Sequence, residues 1–276
     1  MSNLNKFLFS QQSLQDYLDC PRRFELRYLL HIDWPAEESH PMLEREGWFA
    51  RGSAFHKLAR GFLCGIPKAT VMKSTSDPTL ILWFDRLTDF LSTHQGAKFW
   101  WSEKTLNANL DGFIFTSVLD AVAAFENGEI LIFDWKTSQK LPKKETIGAR
   151  IQTLLYPIML RNNIKQIKYD LAFPNSPLKI IYWFSEYPEQ QYEFSFSPEQ
   201  ITENSRFIID LVKIVSSTQP GDFHLTQDQK KCLFCVYRSL CDRGTKSGNM
   251  SELEDTARGE NDSSSIRLSD IDEIEF

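Results

Sequence analysis

The sequence predicts an α+β fold in which a central mixed sheet is flanked by helices, and three observations predict it. Helical apolar spacing dominates the stretch up to Leu91, strand texture takes over from Phe99 with an Asn127-Gly128 turn inside it, and helices and strands then alternate to about residue 216. Cysteines stand at both ends of this region, Cys20 alone near its start and Cys232, Cys235 and Cys241 in a C-x2-C-x5-C run at its close. The N- and C-terminal segments are therefore expected to be joined at a four-cysteine metal cluster.

Taken in chain order, residues 10–30 read as an interrupted helix with Leu14, Tyr17 and Leu18 on one face, and Pro21 opens a second helix directly after Cys20. Residues 52–63 place Phe55, Leu58, Ala59 and Phe62 at helical spacing, and 79–93 repeat the pattern with Leu80, Trp83, Phe84, Leu87, Phe90 and Leu91. Segments 98–106, 112–125 and 129–136 are rich in aromatic and β-branched residues and read as strands. A helix over 145–161, bent or broken at Pro157, precedes strands at 167–173, 178–184 and 191–196. Ser197-Pro198-Glu199-Gln200 carries a capping signal for a last helix to about 216, with Ile201, Ile208, Val212 and Val215 inward. From Gly244 the chain is polar and poor in aromatics, which gives a domain over 1–243 and an acidic, disordered tail over 244–276.

With 276 residues and 42% hydrophobic content the chain can bury one large core. No run approaches a membrane span and Met1–Phe9 lacks a signal-peptide layout, so a cytoplasmic location without membrane contact is expected. Five cysteines in such a chain favour metal ligation or free thiols over disulfides, and Cys64 reads as a small buried hydrophobe. Three basic and nine acidic residues follow Gly244, so the net charge of −6 belongs to the tail and the body is balanced at 28 of each sign. A local basic groove remains open to the body at Arg22-Arg23, Lys140 with Lys143-Lys144, Lys165 with Lys168, and Lys230-Lys231.

The turn at Asn127-Gly128 decides whether two carboxylates meet. A two-residue loop sets Asp120 opposite Trp135 and sends Asp134 to the other face. A three-residue loop, Glu126-Asn127-Gly128 with Gly128 left-handed, sets Asp120 opposite Asp134 with roughly 5 Å between β-carbons, and Lys136 shares that face. Carboxylates among apolar strand residues are costly to bury unless a cation or the lysine neutralises them. Both compensations are open at this point.

In order along the chain, these residues resemble the PD-(D/E)XK nuclease superfamily, and within it the iron-sulfur branch of the RecB and AddB nuclease domains and CRISPR-adaptation exonucleases. The similarity covers about residues 10–243 and implies an α/β-like restriction-endonuclease core. A helix with a lone Cys before Pro and basic residues matches Ser13-x3-Tyr17-x2-Cys20-Pro21-Arg22-Arg23-Phe24, and a Gly-x3-His helix matches Gly52 to His56. The early acidic residue corresponds to Glu103, and the Gly-x2-Asp element to Ser117-Val118-Leu119-Asp120 with Ser in place of Gly. Asp134-Trp135-Lys136 matches Asp-x-Lys, Gln152 to Tyr156 matches Gln-x3-Tyr, and the cysteine triplet closes the series.

The resemblance implies Mg2+ or Mn2+ held by Asp120, Asp134 and the carbonyl of Trp135, with His56 as a nitrogen ligand that shifts the preference toward manganese. A lone histidine on an amphipathic helix is otherwise read as solvated or hydrogen-bonded. Asp120, Asp134, Lys136 and Glu103 are the implied catalytic residues, the lysine orienting the attacking water and offsetting charge on the phosphoryl group. Gln152 and Tyr156, one helical turn apart, are expected to contact substrate or brace Lys136. Four thiolates fit an iron-sulfur cluster or tetrahedral zinc, a zinc site with three cysteines and His224 being a further alternative, and spacing does not decide. The resemblance implies a structural [4Fe-4S] cluster on Cys20, Cys232, Cys235 and Cys241.

These expectations describe a metal-dependent DNA nuclease, an exonuclease on single-stranded or frayed ends, serving repair, recombination or CRISPR-type processing. Trp100, Trp101, Trp135 and Tyr156 are candidate base-stacking surfaces. The chain carries no helicase segment, so unwinding would need a helicase or other DNA-processing subunit as partner. The competing reading is a non-catalytic nucleic-acid-binding or assembly subunit that keeps the fold.

Overall fold

In a computed structural model of the chain, which describes residues 6–34, 40–94, 96–164 and 178–248, one six-stranded mixed sheet is built around β3 (Phe113–Phe125). β2 (Ala97–Leu110) pairs antiparallel along one edge of β3. The opposite edge is shared. β1 (Leu8–Ser10) pairs parallel with Ile114–Thr116, and β4 (Ile130–Lys136) pairs antiparallel with Ala121–Ala124. Among the described residues no strand pairs with positions 117–120 of β3 on that edge. β5 (Leu178–Phe184) then runs parallel to β4, and β6 (Gln191–Phe196) closes antiparallel to β5. The strand expected at 167–173, most of the acidic tail and the Lys165 and Lys168 pair lie outside the described residues.

The β3–β4 hairpin uses the three-residue loop. Phe125 N–H donates to Glu129 O at 2.9 Å, Gly128 N–H donates to Phe125 O at 3.0 Å, and Gly128 has φ +81°. Only glycine takes that conformation without a Cβ penalty. The pairs from Ala121–Phe133 to Ala124–Ile130 follow the register that brings position 120 toward 134.

Both faces of the sheet are covered, which is why β4 and β5 read as continuous apolar runs and not as alternation. Ile130 and Ile132 of β4, with Ile180, Tyr182 and Phe184 of β5, pack toward α1 (Gln11–Asp19), α7 (Ile151–Asn163) and α8 (Pro198–Ser217) through Leu14, Leu155, Met159, Ile208 and Val212. Leu131, Phe133 and Trp135, with Ile181 and Trp183, pack toward α3 (His40–Leu63), α4 (Lys68–Met72) and α5 (Pro78–Ser92) through Phe55, Val71, Trp83, Phe84 and Leu87. Each such large side chain contributes about 1.5–3 kcal/mol by leaving water.

Local signals set most helix ends. Ser10 and Ser13 cap α1 reciprocally, Pro21 opens α2 (Pro21–Phe24) after Cys20, and a π-helical turn over Glu25–Leu29 follows. Ser197 and Gln200 form the expected box at the start of α8. Three features depart from expectation. α3 begins at His40, well ahead of residue 52. The helix expected over 145–161 is two helices, α6 (Lys144–Gly148) and α7, and the break lies at Ala149–Arg150 while Pro157 sits inside α7. Burial of Pro157 and its neighbours in the core overrides the local cost of its missing N–H. Cys64 is exposed, since α3 ends at Leu63 and the chain turns at Gly65 with φ +94°. Among the described residues no helix is long and apolar enough to cross a membrane.

Candidate active site

The site forms where β3 is left unpaired between β1 and β4. The ladder to β4 stops at Ala121–Phe133, and at the next position the Asp120 carboxylate takes the place of a backbone acceptor: Trp135 N–H donates to Asp120 Oδ2 at 2.9 Å. β3 also reverses its facing here. Phe115 and Leu119 share the α7-side core with Val122, whereas Ala121 and Ala123 belong to the α3-side core. Strict alternation would keep odd residues on one face. Instead the Asp120 carboxylate reaches toward α3, where Oδ1 lies 3.2 Å from His56 Nδ1. Residues 117–120 stay within a continuous strand, so serine in place of glycine at 117 introduces no turn.

Asp134 and Lys136 face the α7 side and are tied to one another. Lys136 Nζ lies 2.6 Å from Asp134 Oδ1 and donates to Gln152 Oε1 at 3.1 Å, while Gln152 Nε2 donates to Asp134 Oδ2. The same Nε2 donates to Tyr156 Oη at 2.8 Å, and Tyr156 passes its own proton to Val118 O at 2.9 Å on the unpaired edge of β3. Burial, then the charges of Asp134 and Asp120, push the Tyr156 phenol well above its usual value, so it stays a donor. Gln152 and Tyr156 thus take the bracing role. Tyr156 is fully buried, as is Trp135, so neither offers the base-stacking or substrate-contacting face expected of them; Trp100 and Trp101 are partly exposed.

Asp120 is 2% exposed, Asp134 1%, His56 3% and Lys136 4%, so the charges are compensated internally. Burial alone would raise the Asp120 carboxyl, but the His56 ring, the Trp135 N–H and Lys136 outweigh it and hold the group below the ordinary carboxylate value. His56 is carried in by α3, whose close approach depends on Gly52. Glu103 is placed otherwise. It has φ +42°, and the β2–β3 pairing passes from Ser102–Ala121 to Lys104–Leu119 without a pair at Glu103–Asp120. Its carboxylate accepts from Arg60 Nη1 at 3.1 Å, one turn beyond His56 on α3. Glu103, expected to stand with the two aspartates, is thus paired with α3 through Arg60.

The donor set suits magnesium or manganese: two carboxylates, an imidazole and a backbone carbonyl. The buried Asp120 Oδ1 has the His56 ring 3.2 Å away in a poorly aligned contact, and a cation would satisfy it more fully. Among the described residues no three His, Cys, Asp or Glu side chains stand close enough to hold an ion by themselves. In an extended strand the Trp135 carbonyl opens on the same side as its N–H, toward Asp120, where it could complete the set. Asp120, Asp134, His56 and the Trp135 carbonyl would hold the cation, with Lys136 neutralising Asp134 from the other side.

Tyr182 and Thr153 lie beside the site and are not revealed by motif order. The available signal for Tyr182 was its hydroxyl in the otherwise apolar Ile180-Ile181-Tyr182-Trp183-Phe184 run, since a buried hydroxyl needs a partner.

Cys20 is buried at the α1–α2 junction, and Cys232, Cys235 and Cys241 are half-buried. Burial, with the neighbouring thiols adding to it, raises Cys232 and Cys235 and lifts Cys241 to about 11. Four thiols that repel one another as thiolates are a set that a metal centre relieves. His224 is exposed, and its carbonyl accepts from Arg22 N–H at 3.1 Å. The terminal segments are also joined without metal: Gly221 N–H donates to the Glu25 carboxylate, Tyr237 Oη to Ile32 O at 3.0 Å, and Trp34 Nε1 to Ser239 Oγ at 2.9 Å. Arg23 is buried against Asp16 and Asp19, at 2.9 and 2.8 Å, so it adds nothing to a basic groove.

A family profile described as PD-(D/E)XK nuclease superfamily matches residues 8–242. No curated protein is significantly similar to the chain. Among solved structures, SSO0001 shares 16% identity over 86% of this chain and 87% of its own, with a TM-score of 0.38. A candidate exonuclease from Eubacterium rectale shares 10% identity over 82% of this chain and 86% of its own, with a TM-score of 0.44.

Proposed function

The chain belongs to the PD-(D/E)XK nuclease superfamily, and from that premise we propose that it is a magnesium- or manganese-dependent deoxyribonuclease, an exonuclease acting on single-stranded or frayed DNA ends. The observation that carries the reading is the buried set at the unpaired edge of β3: Asp120 on the Trp135 N–H, and Asp134 with Lys136 under Gln152. Folding alone gives no reason to bury two carboxylates and a lysine side by side.

A bound divalent cation supplies polarisation of the scissile phosphodiester and acidification of the attacking water. Asp120 and Asp134 provide the negative charge that retains it. Lys136, fixed between Asp134 and Gln152, is placed to orient the water and to offset charge growing on the phosphoryl oxygens. His56 holds Asp120 Oδ1 from the α3 side. The loop from the end of β4 to α7 presents exposed Lys140, Lys143 and Lys144, with Arg150 at the start of α7, as phosphate contacts beside the site. The preference for DNA and for ends rests on the resemblance to the RecB and AddB branch, as does a role in repair, recombination or CRISPR-type processing alongside a helicase or other subunit.

The same resemblance supports a [4Fe-4S] cluster on Cys20, Cys232, Cys235 and Cys241. A single tetrahedral zinc draws four sulfurs to about 2.3 Å from one point, whereas a cluster is larger and spaces its thiolates farther apart. The choice between the two rests on the resemblance alone.

The test is cleavage of end-labelled single- and double-stranded DNA by anaerobically purified protein with magnesium or manganese, beside Lys136→Ala and the near-isosteric Asp120→Asn. Cation-dependent cleavage lost in both folded variants is the expected result, and the product ladder gives polarity. DNA binding without turnover by the unaltered protein would transfer the assignment to an assembly subunit.

A further inference from the structure

We propose that Tyr182 on β5 is a positioning residue for Lys136, holding the lysine ammonium against the π face of its ring. The proposal deepens the nuclease reading above and rests on it for the catalytic part of its test.

The placement follows from strand register. β4 and β5 run parallel with Asp134 beside Tyr182 and Lys136 beside Phe184, so the tyrosine shares the α7-side face with both members of the Asp-x-Lys element. Lys136 Nζ stands 5.5 Å from the centroid of the Tyr182 ring. That lies inside the range of about 6 Å over which a ring quadrupole attracts a cation, and the attraction is strongest where water is excluded. Both side chains are buried.

The ring is held in place from two directions. Thr153 Oγ1 donates its single proton to Ile147 O at 2.6 Å, so in the 2.7 Å contact between Thr153 Oγ1 and Tyr182 Oη the tyrosine must be the donor. Burial, followed by the charge of Asp134, raises the Tyr182 phenol and keeps that proton on it. Phe194 meets the ring edge-to-face at 5.9 Å. Thr153 adjoins Gln152 on α7, so one helix turn fixes both the amide that accepts from Lys136 and the ring that faces it.

A lysine has four side-chain rotors and would otherwise spend much of its time away from the reacting phosphate. Asp134 and Gln152 supply directional contacts, and Tyr182 adds a broad surface that favours the ammonium without taking one of its protons. Lys136 is thereby located by a surface as well as by its directional partners. An aliphatic residue at 182 would fill the same space and offer no such attraction.

The test uses the full chain with Tyr182→Phe, Tyr182→Leu, and phenylalanines carrying one, two or three ring fluorines at position 182. Fluorination withdraws charge from the ring face at nearly constant shape. The expected result is a stepwise fall in kcat with fluorine number, a loss of about tenfold in Tyr182→Leu, and at most about threefold in Tyr182→Phe, with KM for DNA unchanged. A role in core packing alone would leave kcat flat across the fluorinated series, and that outcome overturns the proposal. A second readout does not need activity. In protein labelled at the lysine ε-carbon, the Lys136 ε-methylene resonance, identified by its loss in Lys136→Ala, should be shifted upfield by the ring in the parent and in Tyr182→Phe, and not in Tyr182→Leu. If the parent protein cleaves no DNA, the nuclease reading fails, and an unshifted Lys136 resonance in the parent overturns the positioning contact independently.

Discussion

Gly52 of α3 and Thr137 at the end of β4 approach so closely that a β-carbon on the glycine would lie 2.8 Å from the threonine Oγ1. The contact sets how near α3 comes to the strand carrying Asp134 and Lys136, and α3 delivers His56 one turn later. Trp48 Nε1 donates to Thr137 O beside it, which closes the same seam.

Gly52→Ala should therefore push α3 outward. Thr137 is buried and β-branched, so it has little freedom to turn aside. The expected cost is about 1–3 kcal/mol of stability, with a disproportionate fall in cleavage because His56 moves off Asp120. Adding Thr137→Ala should restore both. Thermal melts and cleavage rates on the single and double variants check this; a double variant no better than Gly52→Ala would remove the steric explanation.

Gln152 links Asp134, Lys136 and Tyr156 in one chain of donors and acceptors. Gln152→Leu should lower the single-turnover cleavage rate by about 10- to 100-fold, the worth of one or two hydrogen bonds to charged groups. Tyr156→Phe removes the anchor on Val118 and one acceptor of Gln152 Nε2 but leaves Gln152 on both charged groups, so it should cost several-fold less. A larger loss in Tyr156→Phe than in Gln152→Leu would reverse the order of the brace.

Asp77 caps α5 by accepting from Thr79 N–H at 2.8 Å and pairs with Arg51 Nε of α3 at 2.9 Å. The Arg51 hydrogen bond is the main influence that lowers its carboxyl below 3.8. A depressed folded value means that the stabilisation is fully present above the unfolded value and is lost as pH falls through the folded one. Asp77→Asn keeps a capping side chain and removes the charge. It should cost at most about 1 kcal/mol at pH 7, since the pair is partly exposed. Urea midpoints for parent and variant should converge as pH drops below about 4, and a gap independent of pH would assign the effect to the cap alone.

Cys20→Ser should abolish brown colour and bound iron in anaerobically prepared protein if the four thiolates hold a cluster. The domain should nevertheless stay folded at a lower melting temperature, because Arg22 to His224, Gly221 to Glu25 and Tyr237 to Ile32 join the terminal segments through protein groups. Iron analysis, visible absorbance and far-UV melts separate the two effects. An unfolded variant would show that the metal carries the whole clamp.

Much of the fold was legible because its signals are local. Glu126-Asn127-Gly128 admits a three-residue loop with a left-handed glycine, and that sets the β3–β4 register within a few residues. The Ser197–Gln200 box and Pro21 mark helix starts by the same short-range chemistry. Departures came where packing outvoted such signals: Pro157 is accommodated within a buried helix, and Cys64 is left exposed when α3 stops one residue short of it.

The sequence by itself determined the order of the motif residues, a hairpin at Asn127-Gly128 with two possible registers, and the helix turn that aligns Gln152 with Tyr156. Only the tertiary structure decided that β3 turns its facing at Asp120, that Glu103 goes to Arg60, and that Tyr182 comes beside Lys136. The reason is range. Turn and cap preferences act between residues a few positions apart, whereas these contacts join residues on separate strands and helices and exist only once both faces of the sheet have been covered.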